Sequence, residues 1–319
     1  MQSEPRLLSH AELADWGYSS RRRRELIANG MLVPLRRGLF AVGDEWERAS
    51  PEMRIVARAR ALAAASEEPP VFSHETAGAV HGAALYRASA TRVHAIVSEG
   101  RPGAAGGVVR HRGELPDGDV VVVDDIRCTS LERTVADMAR TATFESAVTV
   151  GDAALRMRCT PEPHEYDHDT AEEFRATALE IARRSAHGVS AAQRVLRFAD
   201  GRAQLPGESI SRIRLAELGF RRPQLQVAVP SARNGRMYYV DFGLGDVRAL
   251  GEFDGRIKYE DGRLLVDRTP DEVFDDEKQR EDWIRGVTGL PLVRWGWTDI
   301  RTAAKLGARL AAFGIHPPG

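Results

Sequence analysis

A multidomain α/β architecture is the fold class this sequence predicts: a winged helix-turn-helix, a mixed α/β middle domain and a C-terminal αβββαβ domain. Three observations carry it. At 319 residues the chain exceeds one small core. Its first 42 residues pattern as helix, tight turn, helix and basic hairpin, the plan of a winged helix-turn-helix. Its last third sets β-rich runs between two helical stretches.

The elements follow in order. Ser9-His10-Ala11-Glu12 is a capping box that opens a helix through Trp16, and Gly17 breaks it. Ser19 or Ser20 caps a second helix, "RRRRELIANG", which stops at Gly30. "MLVPLRRGLFAV" then alternates as a short hairpin. Residues 51 to 66 form an Ala/Arg-rich helix ending before Pro69-Pro70, and "SHETAGAVHGAALY" predicts another. "RVHAIVS", "GVVRHRG", "DVVVVDD" and "IRCTS" read as strands. Thr129-Ser130-Leu131-Glu132 is a second capping box starting "LERTVADMART", and a further helix lies near Ala147 to Met157. "RCTPEPHEYDHDT" is polar with two prolines and predicts a linker. Helices follow at about 170 to 185 and 190 to 199. The C-terminal order is helix 208–218, strands 223–229, 237–244 and 248–255, helix 272–287, strand 291–297. Domain limits fall at 1–48, 49–187 and 188–319.

Bulk composition narrows the function. A net charge of −1 gives no global electrostatic address, so nucleic-acid binding has to come from local patches. No apolar run approaches the ~20 residues that span a bilayer, so no membrane partner is expected. "MQSEPRLLSHAEL" is too polar for a secretory signal, which places the chain in the cytoplasm. Cys128 and Cys159 lie far apart without CxxC spacing, which predicts two buried or idle thiols rather than a disulfide or zinc knuckle.

The stretch "YYVDFGLGDVRALGEFDGRIKY" holds the chemistry. Carboxylates are poor strand residues, yet this hairpin carries Asp241, Glu252 and Asp254, with Lys258 following. Glu252 and Asp254 are two apart and share a face, and a short turn brings Asp241 across from them. Glu208 begins the preceding helix. Converging acids repel each other unless a cation sits among them, and Mg2+ takes one or two carboxylates plus waters. Such an ion activates a water against a phosphodiester, and Lys258 can orient that water or neutralise the transition state.

These residues resemble the PD-(D/E)XK nuclease superfamily, in particular its Vsr-like branch. The matching segments are Gly207-Glu208-Ser209, Val240-Asp241-Phe242, Gly251-Glu252-Phe253-Asp254-Gly255, and "EKQREDWIRGVTG" followed by "PLVRW", over about residues 205 to 300. The resemblance implies Glu208, Asp241 and Glu252 as ligands of Mg2+ or Mn2+, and Gln226 as a residue facing the site. Asp254 stands where the superfamily motif has lysine. The Glu-x-Asp-Gly branch tolerates this and makes Asp254 a candidate ligand, leaving Lys258 or Lys278 to supply the positive charge.

The N-terminal module predicts contact with double-stranded DNA. Arg21, Arg22, Arg23 and Arg24 open the second helix of the pair, whose first residues meet base edges in a helix-turn-helix. Arg36 and Arg37 sit in the hairpin, within reach of phosphates or the minor groove. "LLSHAELADWGYSSRRRRELIANGMLVPLRRGLFAV", "HETAGAVHGA" and "IRCTSLERTVADMAR" resemble the AbiEi family of type IV toxin–antitoxin systems, over about residues 6 to 140. That resemblance implies repression of the chain's own promoter, and a cognate toxin or a second copy as partner.

His164-Glu165-Tyr166-Asp167-His168 matches the zincin pattern His-Glu-x-x-His. Pro161 and Pro163 precede it in polar surroundings, and the pattern binds zinc only inside a helix, so it is set aside. His74 and His81 share a face of a predicted helix, where packing or exposure accounts for them. The leading expectation is a DNA-binding protein with a Mg2+-dependent endonuclease domain, in phage defence or a toxin–antitoxin-like locus. The alternative is a non-catalytic antitoxin or repressor whose nuclease-like domain serves binding or dimerisation.

Overall fold

The structure is a computed structural model that describes residues 4–97, 102–231, 235–255 and 270–318. The chain divides into two compact units. One comprises Met1–Arg158 and His168–Ala199, the other Cys159–Asp167 and Asp200–Gly319.

The first unit opens with β1 (Leu7–Ser9), α1 (His10–Asp15), α2 (Ser20–Ala28), β2 (Leu32–Arg36) and β3 (Leu39–Val42). The capping box forms: Ser9 Oγ accepts from Glu12 N and Glu12 Oε2 accepts from Ser9 N. Ser19 caps α2 by accepting from Arg22 N. The strands form a three-stranded sheet in the order β1-β3-β2, closed over Leu8, Leu13, Leu26, Leu32 and Phe40. The third strand, β1, has no signal in sequence because it is only three residues long.

After α3 (Gly43–Arg48) and α4 (Pro51–Ala64) come β4 (Val71–Phe72), α5 (His74–Val80), β5 (Val93–Val97), β6 (Gly103–Ala105), β7 (Val108–Arg112), β8 (Val120–Val123) and β9 (Ile126–Thr129). These six strands make one mixed sheet, ordered β6-β7-β5-β4-β9-β8. Asp124 and Asp125 join β8 to β9 with φ of 45° and 63°, the left-handed pair that a tight hairpin needs. Phe72, Val93, Ala95, Val108, Ile126 and Cys128 form the core beneath the helices.

Four further helices follow: α6 (Leu131–Thr141), α7 (Phe144–Cys159), α8 (His168–Arg183) and α9 (Val189–Phe198). Arg133 on α6 is buried between two carboxylates, 2.6 Å from Asp119 and 2.9 Å from Asp137. Sequence boundaries placed α9 with the C-terminal domain, whereas here it belongs to the first unit. The cause is packing: Ala192, Val195 and Leu196 are buried, and Arg140 Nε donates to His187 O at the helix start.

The second unit contains α10 (Pro206–Glu217), β10 (Gln224–Pro230), β11 (Met237–Leu244), β12 (Ala249–Phe253), α11 (Pro270–Thr288), β13 (Leu292–Trp295) and α12 (Ala303–Ala311). Its sheet runs β10-β11-β12-β13, antiparallel until β12 and β13, which are parallel. The helix-strand-strand-strand-helix-strand order matches the expectation, with α12 added at the C-terminal end. Two glycines let α10 and its neighbours close on the sheet. A Cβ on Gly207 would lie 2.0 Å from the Phe253 ring, and one on Gly251 would lie 2.2 Å from Trp295. Trp295 Nε1 donates to Ser211 Oγ of α10, and Phe242 stacks on the same indole.

Candidate functional site

Glu208 lies in the first turn of α10, after Pro206 at a position where proline suits a helix start. It is only 4% exposed, and its Oε2 accepts from Gln204 N at 2.8 Å. A carboxylate this buried needs polar partners, and one of them comes from β10. Gln226 Nε2 lies 3.5 Å from Glu208 Oε2 and 3.5 Å from Asp241 Oδ1. The other Asp241 oxygen accepts from Phe253 N at 2.8 Å, tying β11 to β12 beyond their last ladder pair.

The backbone bends here to make this meeting. Val240 packs with Leu250, Ile284 and Leu292, while Phe242 stacks on Trp295. Leu292 and Trp295 are three apart on β13 and face opposite ways, so β11 changes face between Val240 and Phe242. Its partner strand does the same: Leu225 pairs with Phe242 and Val227 with Val240, and Gln226 between them has φ 52°. A left-handed glutamine inside a strand costs about 1–3 kcal/mol and persists only where surrounding structure enforces it. The break swings Asp241 towards Glu208.

Glu252 is placed differently. Arg280 Nη2 donates to its Oε1 at 2.6 Å, and Arg294 Nε lies 3.1 Å from its Oε2 without hydrogen-bond alignment. Burial opposes the charge on Arg294, but Glu252, Glu277 and Glu281 outweigh it and hold the guanidinium further up. Arg280 also donates to Tyr239 O. Glu208, Asp241 and Glu252 do not meet as a trio within 4.8 Å; among the described residues that closeness is reached by His74, His94 and His111. Asp254 follows β12, half-buried, with its backbone N donating to Trp295 O. Lys258 lies outside the described residues. Lys278 is exposed on α11, and the cations at Glu252 are two arginines, Arg280 and Arg294, which no lysine-bearing motif points to.

The N-terminal arginines separate into two groups. Arg21 and Arg22 are exposed and share Glu25, each 3.3 Å away. Such surface pairs are worth a few tenths of a kcal/mol. Arg24 and Arg37 are exposed as well. Arg23 instead is buried, donating to Tyr18 O and Ser20 Oγ. Arg36 donates to Gly106 O at 2.7 Å, and burial, with Arg110 nearby, lowers its pKa.

His164 to Asp167 are not helical, and α8 begins only at His168. His164 stacks on Tyr239. His81 Nε2 meets Thr129 O at 2.8 Å, a structural bond, and His74 joins His94 and His111.

No family model matches the chain. It is 30% identical over 187 residues to proteins described as uncharacterized from two strains of Mycobacterium tuberculosis, CDC 1551 / Oshkosh and ATCC 25618 / H37Rv. The match covers 56% of this chain and 58% of each relative, so the chain spans less than two thirds of their length. Among the described residues, no helix is long and apolar enough to cross a membrane.

Proposed function

We propose that this is a DNA-binding protein whose C-terminal unit hydrolyses phosphodiesters with Mg2+ or Mn2+, in phage defence or a toxin–antitoxin-like locus. One observation carries the proposal: Gln226 sets its amide nitrogen between the carboxylates of Glu208 and Asp241. A donor 3.5 Å from an oxygen of each acid marks a place beside both carboxylates where positive charge is favoured. Rotating that amide replaces its nitrogen with a hard oxygen, adding a third ligand of the kind Mg2+ takes. Two carboxylates and one amide oxygen fit such an ion; Glu252, neutralised by Arg280 and Arg294, does not. The bound ion would supply an activated water and charge stabilisation at the phosphate. Glu208 and Asp241 would fix its position.

A second reading is favoured by the clasp on Glu252 and by Asp254 in the motif-lysine position: a repressor or antitoxin that binds DNA through the N-terminal module and hydrolyses nothing. Incubating the full chain with supercoiled plasmid and Mg2+ separates the two. The first reading expects relaxed and linear products, reduced about 100-fold or more in Asp241→Ala. Absence of products with DNA and RNA alike, or equal products from the variant, leaves the repressor.

A further inference from the structure

We propose that His74, His94 and His111 form a binding site for one divalent transition-metal ion of the zinc class, with a fourth coordination position open. The site is separate from the acidic pair of the second unit and lies wholly in the first.

Three different elements deliver the imidazoles. His74 is the first residue of α5, His94 lies on β5, and His111 lies on the adjacent parallel strand β7. On β5, Val93 and Ala95 belong to the apolar core, so His94 points to the opposite face. His111 pairs with Ile96, two residues along from His94, and shares that face. One ligand atom from each ring lies within 4.8 Å of the others. His94 Nδ1 and His111 Nε2 are 3.0 Å apart. Zinc–nitrogen bonds of about 2.0–2.1 Å in a tetrahedron separate their nitrogens by about 3.3 Å, so this pair is nearly at ligation distance.

The outer groups fit as well. Metal-bound histidines commonly direct their other nitrogen at a carboxylate or oxygen. Glu75 Oε2 is 4.0 Å from His94 Nε2, and Ser73 Oγ is 2.9 Å from His74 Nδ1. Ser73 N donates to His94 O, and His94 N donates to Thr76 Oγ1, which pins the start of α5 onto β5. His74 holds φ 52° while buried, a strained conformation of the kind that gathers at ligand sites. Burial lowers all three histidine pKa values, that of His94 to about 4, with neighbouring histidines and Arg92, Arg133 and Arg140 adding to the effect on His74 or His94. Neutral imidazole is the form that ligates. An all-imidazole donor set selects zinc, copper or nickel over Mg2+.

His74 and His111 are stacked at 3.6 Å, so ligation requires one ring to turn about χ2, a broad torsion in histidine. A stacked, hydrogen-bonded trio without metal is the competing account. The two separate when metal-free full-length protein is titrated with Co2+, followed by displacement with Zn2+. With excess Mg2+ present to occupy the acidic pair, the expected result is one Co2+ per chain, visible absorption of tetrahedral Co2+, and a raised Tm. His94→Gln and His111→Gln should each weaken binding about 100-fold or more. The half-buried His111 is the variant expected to remain folded, as checked by circular dichroism. A His164→Gln, His168→Gln double variant should bind like the parent. No Co2+ band and no Tm shift in the parent, or full binding by folded His111→Gln, overturns the site.

Discussion

Arg21, Arg22 and Arg23 are consecutive and chemically identical, yet they do different work. The first two are exposed and joined to Glu25 by pairs that water and salt weaken. The third is buried and bonded to Tyr18 O and Ser20 Oγ across the turn between α1 and α2. Replacing Arg21 and Arg22 together with alanine should weaken duplex binding and flatten its salt dependence by about one unit of slope per lost phosphate contact. Arg23→Ala should instead lower Tm and leave the salt slope of the folded fraction unchanged. Fluorescence anisotropy on duplex DNA across a salt series, beside thermal unfolding, reads both. An unchanged slope in the double variant would make the exposed pair a solvated face. A run of four arginines shows that a helix begins with charge; which of them turns inward depends on the α1–α2 turn.

At the scale of elements, the C-terminal sheet depends on close approach. Gly251 admits the Trp295 ring, and a methyl group there would sit 2.2 Å from it. Overpacking of this kind costs about 1–3 kcal/mol. Gly251→Ala should therefore lower the denaturant midpoint of the second unit, whereas Gly245→Ala, with open space around its Cα, should not. Equal midpoints would mean that Trp295 yields freely. Much of this unit was legible in sequence, because alternation and capping are local signals: the strands at β10, β11 and β12 fall within a few residues of expectation. The face change at Asp241 was not legible. Alternation predicts that Asp241, Glu252 and Asp254 converge, but the left-handed Gln226 rotates β10 and β11 together and brings Asp241 to Glu208. No residue type announces that rotation, since glutamine has no preference for positive φ. The histidine trio was hidden for another reason. His74, His94 and His111 are 20 and 17 positions apart, on elements whose pairing is set by the six-stranded sheet, so no spacing motif exists.

At the scale of the whole molecule, sequence suggested three serial domains and the chain forms two units by crossing between them repeatedly. Residues 158–170 read as a linker because they are polar and proline-bearing, yet 159–167 belong with the second unit, where His164 stacks on Tyr239 and Tyr166 Oη accepts from Gly201 N. Composition described their polarity correctly and missed their contacts, which are long-range. The two units offer different chemistry: exposed arginines and a nitrogen-rich cluster in the first, a hard-oxygen pair in the second. The proposal for the whole chain rests on the oxygen pair holding a cation. Calorimetric titration of Mg2+ into the folded, metal-free protein, set beside Asp241→Asn, tests that most directly. The account predicts one Mg2+ per parent chain and none in the variant at the same concentrations. No heat of binding in the parent, or an identical isotherm in the variant, would contradict it.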